Sequence, residues 1–547
     1  MLRIGNKTRL WSVYAGILLI ALGFRLFVGL RLANDEPDDG RVYSQIARNV
    51  LEQHVFSHAT QAPYDPSIIR LPGYPLFLVA IYAVFGHGNN TAVRVIQAVI
   101  DTATCALIAW VVFEWVVDEK RKHRGALIAL TLAAVCPFTV IYVATILTEV
   151  MTNFLAAAMV LTTTFAFKAT ARKKALLWWI ATGLIAGLAV LFRPDSGLFA
   201  AAIGATLMLS ALFSRKAGPF FTRMRAAILS AALFSIAFCI VLVPWTIRNQ
   251  RVFHVFQPLS PAHAEMPGEF VARGYLLWVR TWLDDSRYVG PALWALDMRQ
   301  MHVEDFPARA FDSKEERDRV AALFEKYNHP DGEEQQASDE DQSSGDDQDQ
   351  DQSDSSGDED DQPEEEPEPE EHQEPEEADV EMTPEIDAGF AQIGRERVAH
   401  SPLRYYIILP LKRAKTLWFD THSQYYPFNG DLLPLEDLDY DIHQQYWLPL
   451  FAGLTWIYTL AGVLGGWLLW RSRDRDARRW LLLAVLLLCL RLGFFASLEN
   501  PEPRYTVELF PFLIMLAGAG ISRIRASAKA TEMETDAAAP TAEYSPD

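Results

Sequence analysis

This 547-residue chain is half hydrophobic and contains 15 Trp and 31 Phe, too apolar for an ordinary soluble protein of its length. Its formal charge of −20 misleads, because 27 Asp and Glu but no Lys or Arg fall between Asp331 and Glu385, and removing that stretch turns −20 into +7. A disulfide-stapled fold is excluded: Cys105, Cys136, Cys239 and Cys489 all lie within apolar runs, where they read as small core hydrophobes.

Runs near the roughly 18–20 residues needed to cross a bilayer recur along the chain. Ten spans are predicted, at about 11–30, 91–117, 125–145, 150–167, 176–192, 196–213, 226–247, 448–470, 480–498 and 505–522. The fold class is therefore an all-α polytopic membrane protein. Span one contains Arg25 and has no small-residue cleavage site, so it reads as a retained anchor. Four carboxylates follow it in "NDEPDDGRVYSQIARNV": Asp35, Glu36, Asp38 and Asp39. Tyr43, Ile46, Ala47, Val50 and Leu51 then fall on one helical face, predicting an amphipathic helix along the membrane with Asp38 and Asp39 at its start. One carboxylate suffices to cap a helix, and here there are four. His54 and His58 are four apart but lack a third ligand, so no metal site is assigned to them. "RLPGYPLFLVAIYAVFG" (70–86) is too short to span and predicts a second membrane-associated helix behind Arg70.

Lys and Arg crowd the start of the chain and the connections after spans two, four, six, eight and ten. All belong to one face if ten spans are present, which predicts an inner N-terminus and an inner tail over 523–547. The opposite face then carries the first loop, 34–90, with Glu149, Arg193, Arg248 and the stretch "ENPEPRY", which supplies Glu499, Glu502, Arg504 and Tyr505. The arginines at these ends run against the charge bias, and charges at such depths mark sites. Together they suit a phosphate, beside carboxylates able to take a proton.

The chain divides into an N-terminal membrane domain (1–247), a long outer segment (248–447), C-terminal spans (448–522) and the tail. Within the outer segment, "DSKEERDRVAALFEKYN" (312–328) predicts a capped helix, with Asp312 or Ser313 as the cap. Residues 331–385 are nearly free of apolar side chains and are expected to be disordered. "PLRYYIILPLKRAKTLWF" predicts a helix on the outer membrane surface. His422 and His443 receive no role.

The ordered series of Asp39 with Tyr43 four residues on, "R-x-P-G-Y-P", "T-E" at Glu149, "R-P" at Arg193, "W-x-x-R-N" at Arg248 and "E-x-P-R-Y" resembles the GT-C membrane glycosyltransferases, in the branch of protein O-mannosyltransferases and aminoarabinose transferases. The resemblance implies transfer of a sugar from a polyprenyl-phosphate donor to an envelope lipid, glycan or protein. Asp39 and Glu149 match its acidic positions, and Asp38 and Glu36 compete for the first. Arg70, Arg193, Arg248, Arg504 and Tyr505 are then candidates to hold the lipid phosphate. No cofactor is assigned, although relatives of this kind admit a divalent cation. The implied partners are the lipid donor, an envelope acceptor and membrane lipid, with no nucleic acid. A transporter or flippase, which would place its functional charges or broken helices near mid-membrane, and an envelope polysaccharide polymerase or ligase are the alternative readings.

Overall fold

The computed structural model describes residues 2–32, 38–213, 219–330, 380–422, 426, 430–435, 442–472 and 474–524. Among these the chain is helical, with two isolated antiparallel bridges, Asp420 with Asp431 and Leu432 with Leu435. It forms two compact units: 272–410, and the remainder.

The larger unit holds the membrane helices. These are α1 (Leu2–Arg31), α4 (Asn90–Trp115), α7 (Glu149–Lys168), α8 (Arg172–Phe192), α9 (Gly197–Phe213), α10 (Phe220–Phe253), α15 (Ile442–Trp470), α16 (Arg475–Ser497) and α17 (Phe510–Ile521), with 503–509 leading into the last as a tighter turn. A further span is bent by 51° between α5 (Glu119–Ala134) and a continuation that begins as α6 (Pro137–Val140). Pro137 explains the bend, since it removes a helical donor and clashes with the preceding turn. Among the described residues nine helices are long and apolar enough to cross a membrane, and the bent pair makes ten, at the places the hydropathy predicts. The two short helices of the first loop are α2 (Asp38–Glu52) and α3 (Gly73–Phe85). On α2, Ile46 and Ala47 are fully buried and Arg41 is exposed, as its apolar periodicity requires.

Helices approach closely where glycine permits. A Cβ on Gly465 of α15 would stand 2.1 Å from the Leu516 carbonyl oxygen of α17, and one on Gly520 of α17 would stand 2.3 Å from the Gly465 carbonyl oxygen. Such small-residue contacts suit a bilayer, where burial of apolar surface no longer drives association. Mid-span, Arg25 is fully buried and donates to Asp101 Oδ2 at 2.6 Å. It also donates to the Ala133 and Ala134 carbonyls, at 3.1 and 3.0 Å.

The unit 272–410 is built on α11 (Arg273–Arg280), α12 (Lys314–Asn328) and α13 (Pro384–His400). Tyr275, Trp278, Trp282, Phe306, Phe324 and Phe390 make its aromatic core. Ser313, one of the two expected caps, closes the start of α12 by accepting from the Glu316 amide at 3.1 Å. The helix expected from 402 begins with a wide-turned stretch, Arg404–Ile408, and continues as α14 (Leu409–Phe419).

Two expectations need correction. Only Cys105 and Cys136 are buried; Cys239 and Cys489 are exposed on spanning helices, where a small apolar side chain is at ease against lipid. The acidic insertion lies outside the described residues only over 331–379, because Met382 is buried and Thr383 caps α13. The N-cap, Pro384 and Ile386 supply what composition alone hides.

Candidate active site

The first loop, the start of α7, the α8–α9 junction and the 503–509 turn converge on one cluster. Asp39 lies in the first turn of α2 and accepts two guanidinium bonds, Arg70 Nη2 to Oδ1 and Arg504 Nη2 to Oδ2, each 2.8 Å. Burial alone would push the Asp39 carboxyl up. Arg504 and Arg70 outweigh it and hold the group at about 2. One turn along, the Tyr43 phenol is pushed up to about 12 by burial and then by the Asp39 charge, so it remains a hydrogen-bond donor at neutral pH. Its ring meets Tyr74 edge-on at 5.2 Å.

Below this accessible tier lies a buried one. Glu149 opens α7 after a non-helical stretch, 144–148, held by Gln97 Nε2 to the Val143 and Thr145 carbonyls (3.2 and 2.8 Å) and by Arg94 Nε to the Ala144 carbonyl (2.9 Å). A carboxylate there also suits the positive end of the helix dipole. Glu149 Oε1 accepts from Arg193 Nη1 at 2.7 Å. Arg193 is extended (φ −155°, ψ 120°) because Pro194 follows it and ends α8. The same guanidinium reaches Glu508 Oε1 at 3.1 Å and Asp195 Oδ1 at 3.1 Å. Arg491 completes the network, its Nη2 lying 2.8 Å from both Glu508 Oε2 and Asp195 Oδ2. Two guanidiniums therefore face three carboxylates, and Glu149 Oε2 is buried without a hydrogen-bond partner.

Tyr505 joins the tiers. Arg193 lies over its ring at 5.2 Å and Arg504 at 5.4 Å, while Phe495 stacks on it at 4.3 Å. The glycine of "R-x-P-G-Y-P" has a steric reason: a Cβ at Gly73 would stand 2.5 Å from the Leu191 carbonyl oxygen, so α3 seats against the end of α8 beside Arg193.

Asp39, Glu149, Arg70, Arg193, Arg504 and Tyr505 are thus gathered together. Arg248 is engaged differently. It donates to the Ser67 carbonyl at 2.8 Å and to Asn249 Oδ1 at 3.0 Å, under the rings of Phe56, Trp245 and Phe253. Its guanidinium pins the first loop, a role its place at a span end does not reveal. The side chain of Asp38 and residue Glu36 lie outside the described residues. Asp195, Arg491 and Glu508 are functional candidates that the sequence reading missed; Arg491 alone carries a clear signal, a charge inside the apolar run "LLLCLRLGFF".

Residues 66–245 match the family described as dolichyl-phosphate-mannose-protein mannosyltransferase. This segment belongs to the GT-C membrane glycosyltransferases. The matched GT-C segment carries Arg70, Gly73, Glu149 and Arg193, whereas Asp39 and Arg504 lie outside it. No curated protein matches the chain. Among solved structures, the oligosaccharyltransferase AglB from Archaeoglobus fulgidus, in complex with an inhibitory peptide and a dolichol-phosphate, shares 13% identity at a TM-score of 0.49, covering 99% of this chain and 53% of that one. ArnT from Cupriavidus metallidurans bound to undecaprenyl phosphate shares 14% at a TM-score of 0.36, covering 97% and 81%. This chain spans about half the length of the archaeal protein, and likenesses of this strength say nothing about individual side chains.

Proposed function

We propose that the protein is an integral membrane glycosyltransferase that moves a sugar from a polyprenyl-phosphate carrier to an envelope acceptor. The observation that carries this reading is the clamp of Arg70 and Arg504 on Asp39 at the membrane rim. Two convergent guanidiniums are the natural receptor for a phosphate, and the carboxylate between them is an acceptor for a proton. A donor whose carrier is an isoprenoid requires this site at a helix end, where the tail stays in lipid.

In the reaction, the acceptor hydroxyl attacks the anomeric carbon and the carbon–oxygen bond to phosphate breaks. The hydroxyl proton passes to Asp39, and the negative charge of the leaving phosphate passes to the arginines. At about 2, Asp39 is a poor base while both arginines grip it. The incoming phosphate competes for those same arginines. As they turn to it, burial again dominates at Asp39 and its basicity rises. Donor binding thereby switches on the base. Glu149, with Glu508 and Asp195, holds Arg193 under Tyr505 and keeps the floor of the site rigid.

The Lys and Arg bias of the connections supports a cell-membrane orientation with the N-terminus inside and the site outside. The test is reconstitution of the purified protein in vesicles with a panel of polyprenyl-phosphate sugars and an envelope extract. Release of polyprenyl phosphate coupled to labelling of an acceptor is expected. Label transferred from nucleotide sugars alone, or sugar moved across the vesicle without bond cleavage, would overturn the reading.

A further inference from the structure

After α14 the chain turns back on itself in a short pin. Asp420 and Asp431 pair across an antiparallel bridge, and the pair is locked by Leu432 N to the Phe419 carbonyl (2.7 Å) and by Thr421, whose amide and hydroxyl both donate to the Gly430 carbonyl (3.1 and 2.8 Å). Residues opposed across such a bridge put their side chains on the same face, and so do residues two apart along one strand. Asp431 therefore lies on the face of Asp420, and so does His422 in "D-T-H". The ligand-type atoms of Asp420, His422 and Asp431 all fall within 4.8 Å of one another. Asp420 is buried, its side chain only 2% exposed, and His422 Nδ1 lies 2.7 Å from Asp420 Oδ1. Two carboxylates this close repel one another in a poorly solvated place, and a cation held between them relieves that repulsion.

We propose that Asp420, His422 and Asp431 bind a divalent transition-metal ion, Zn²⁺ or Mn²⁺ by the chemistry of the donors. One imidazole nitrogen and two carboxylate oxygens suit these ions, whereas Ca²⁺ and Mg²⁺ favour all-oxygen sets. The ion replaces the His422–Asp420 hydrogen bond and spans the bridge from one side to the other. Its role is to fix the pin. Within the pin, Tyr426 packs edge-on against Phe451 of α15 at 6.0 Å, and its phenol is pushed up by burial and then by the charges of Glu502 and Asp420. The pin thus adjoins the stretch that carries Glu502 and Arg504. The site shares no residue with the clamp on Asp39, and its occupancy is measured without any sugar transfer.

The experiment uses full-length purified protein with no polyhistidine tag, stripped with a chelator, reloaded with Zn²⁺ or Mn²⁺ and desalted before elemental analysis. The wild type should keep one ion per chain. His422→Gln and Asp431→Asn should each weaken binding at least about tenfold, as loss of a direct ligand costs no less than loss of a supporting group. In cobalt-loaded His422→Cys a sulfur-to-cobalt charge-transfer band should appear, which identifies the ligand without relying on loss. A wild type that retains well under one ion, variants that bind as tightly as the wild type, or a well-folded cysteine variant without the band would each overturn the proposal.

Discussion

Replacing Asp39 with Asn separates a base from a phosphate ligand, because the two roles predict opposite changes in binding. The carboxyl sits at about 2 against an ordinary 3.8. That difference corresponds to about 2.5 kcal/mol of net attraction for the anion, with the burial penalty already included. Asn keeps the shape and caps a helix about as well, so α2 should persist. Its neutral amide no longer holds Arg70 and Arg504 by charge, so the phosphate meets one competitor fewer at both. If the whole attraction had opposed the ligand, polyprenyl phosphate would bind up to about fiftyfold more tightly to Asp39→Asn. The side chains of Arg70 and Arg504 are 25% and 14% exposed, so water takes up part of that difference, and a gain between about threefold and fiftyfold is expected. Transfer should nevertheless fall on the order of a hundredfold or more, as the proton loses its acceptor. Calorimetric titration of the lipid phosphate in detergent measures the first quantity, and release of labelled carrier in vesicles the second. Weaker lipid-phosphate binding together with normal transfer in Asp39→Asn would refute the competition and the base at once.

The same competition fixes a pH signature. The acid limb of kcat should lie at higher pH than that of kcat/KM, because the free enzyme holds Asp39 low and the donor complex releases it; limbs in the reverse order would contradict the switch. Since folding lowers the Asp39 pKa, its contribution to stability is complete above 3.8 and fades as pH falls toward about 2, so thermal unfolding between pH 5 and 9 should show no step from this group. Glu508→Gln removes the carboxylate shared by Arg193 and Arg491 and should cost on the order of 3 kcal/mol, read as a lower denaturation midpoint; an unchanged midpoint would show that Asp195 and Glu149 alone satisfy both arginines. Gly465→Val forces apart the crossing of α15 and α17 and should lower thermal stability clearly more than Gly453→Val, whose Cβ would meet no atom within 4 Å.

Hydropathy located the spans because the length and apolarity of a bilayer crossing are local properties, and the same is true of a helix start at Asp312 or Ser313 and of the face of α2. The rim arginines were legible for a related reason: a charge beside an apolar run stands out against its neighbours. The partnerships were not legible. That Asp39 takes both Arg70 and Arg504, while Arg248 braces a loop under three aromatic rings, depends on the relative rotation of helices far apart in sequence. Glu508 was missed because one acid in "TVELFPF" reads as the edge of a span until Arg193 and Arg491 are seen beside it. The pin at 420–431 was missed because its short bridge carries too few residues to show an alternating pattern, and His422 acquires company only across the turn.

Asp39 and Arg504 are separated by 465 positions, so the clamp joins the start of the chain to one of its last membrane segments. During synthesis the first loop emerges and meets lipid long before 503–509 is made. Until then Asp39 has only Arg70 from the pair, and the floor lacks Glu508. On the proposed reading, the full pair of arginines for a lipid phosphate is complete only with the last turn before α17. A chain stopped after α15 should insert stably and still bind no lipid phosphate, which makes the order of synthesis itself a safeguard against premature chemistry.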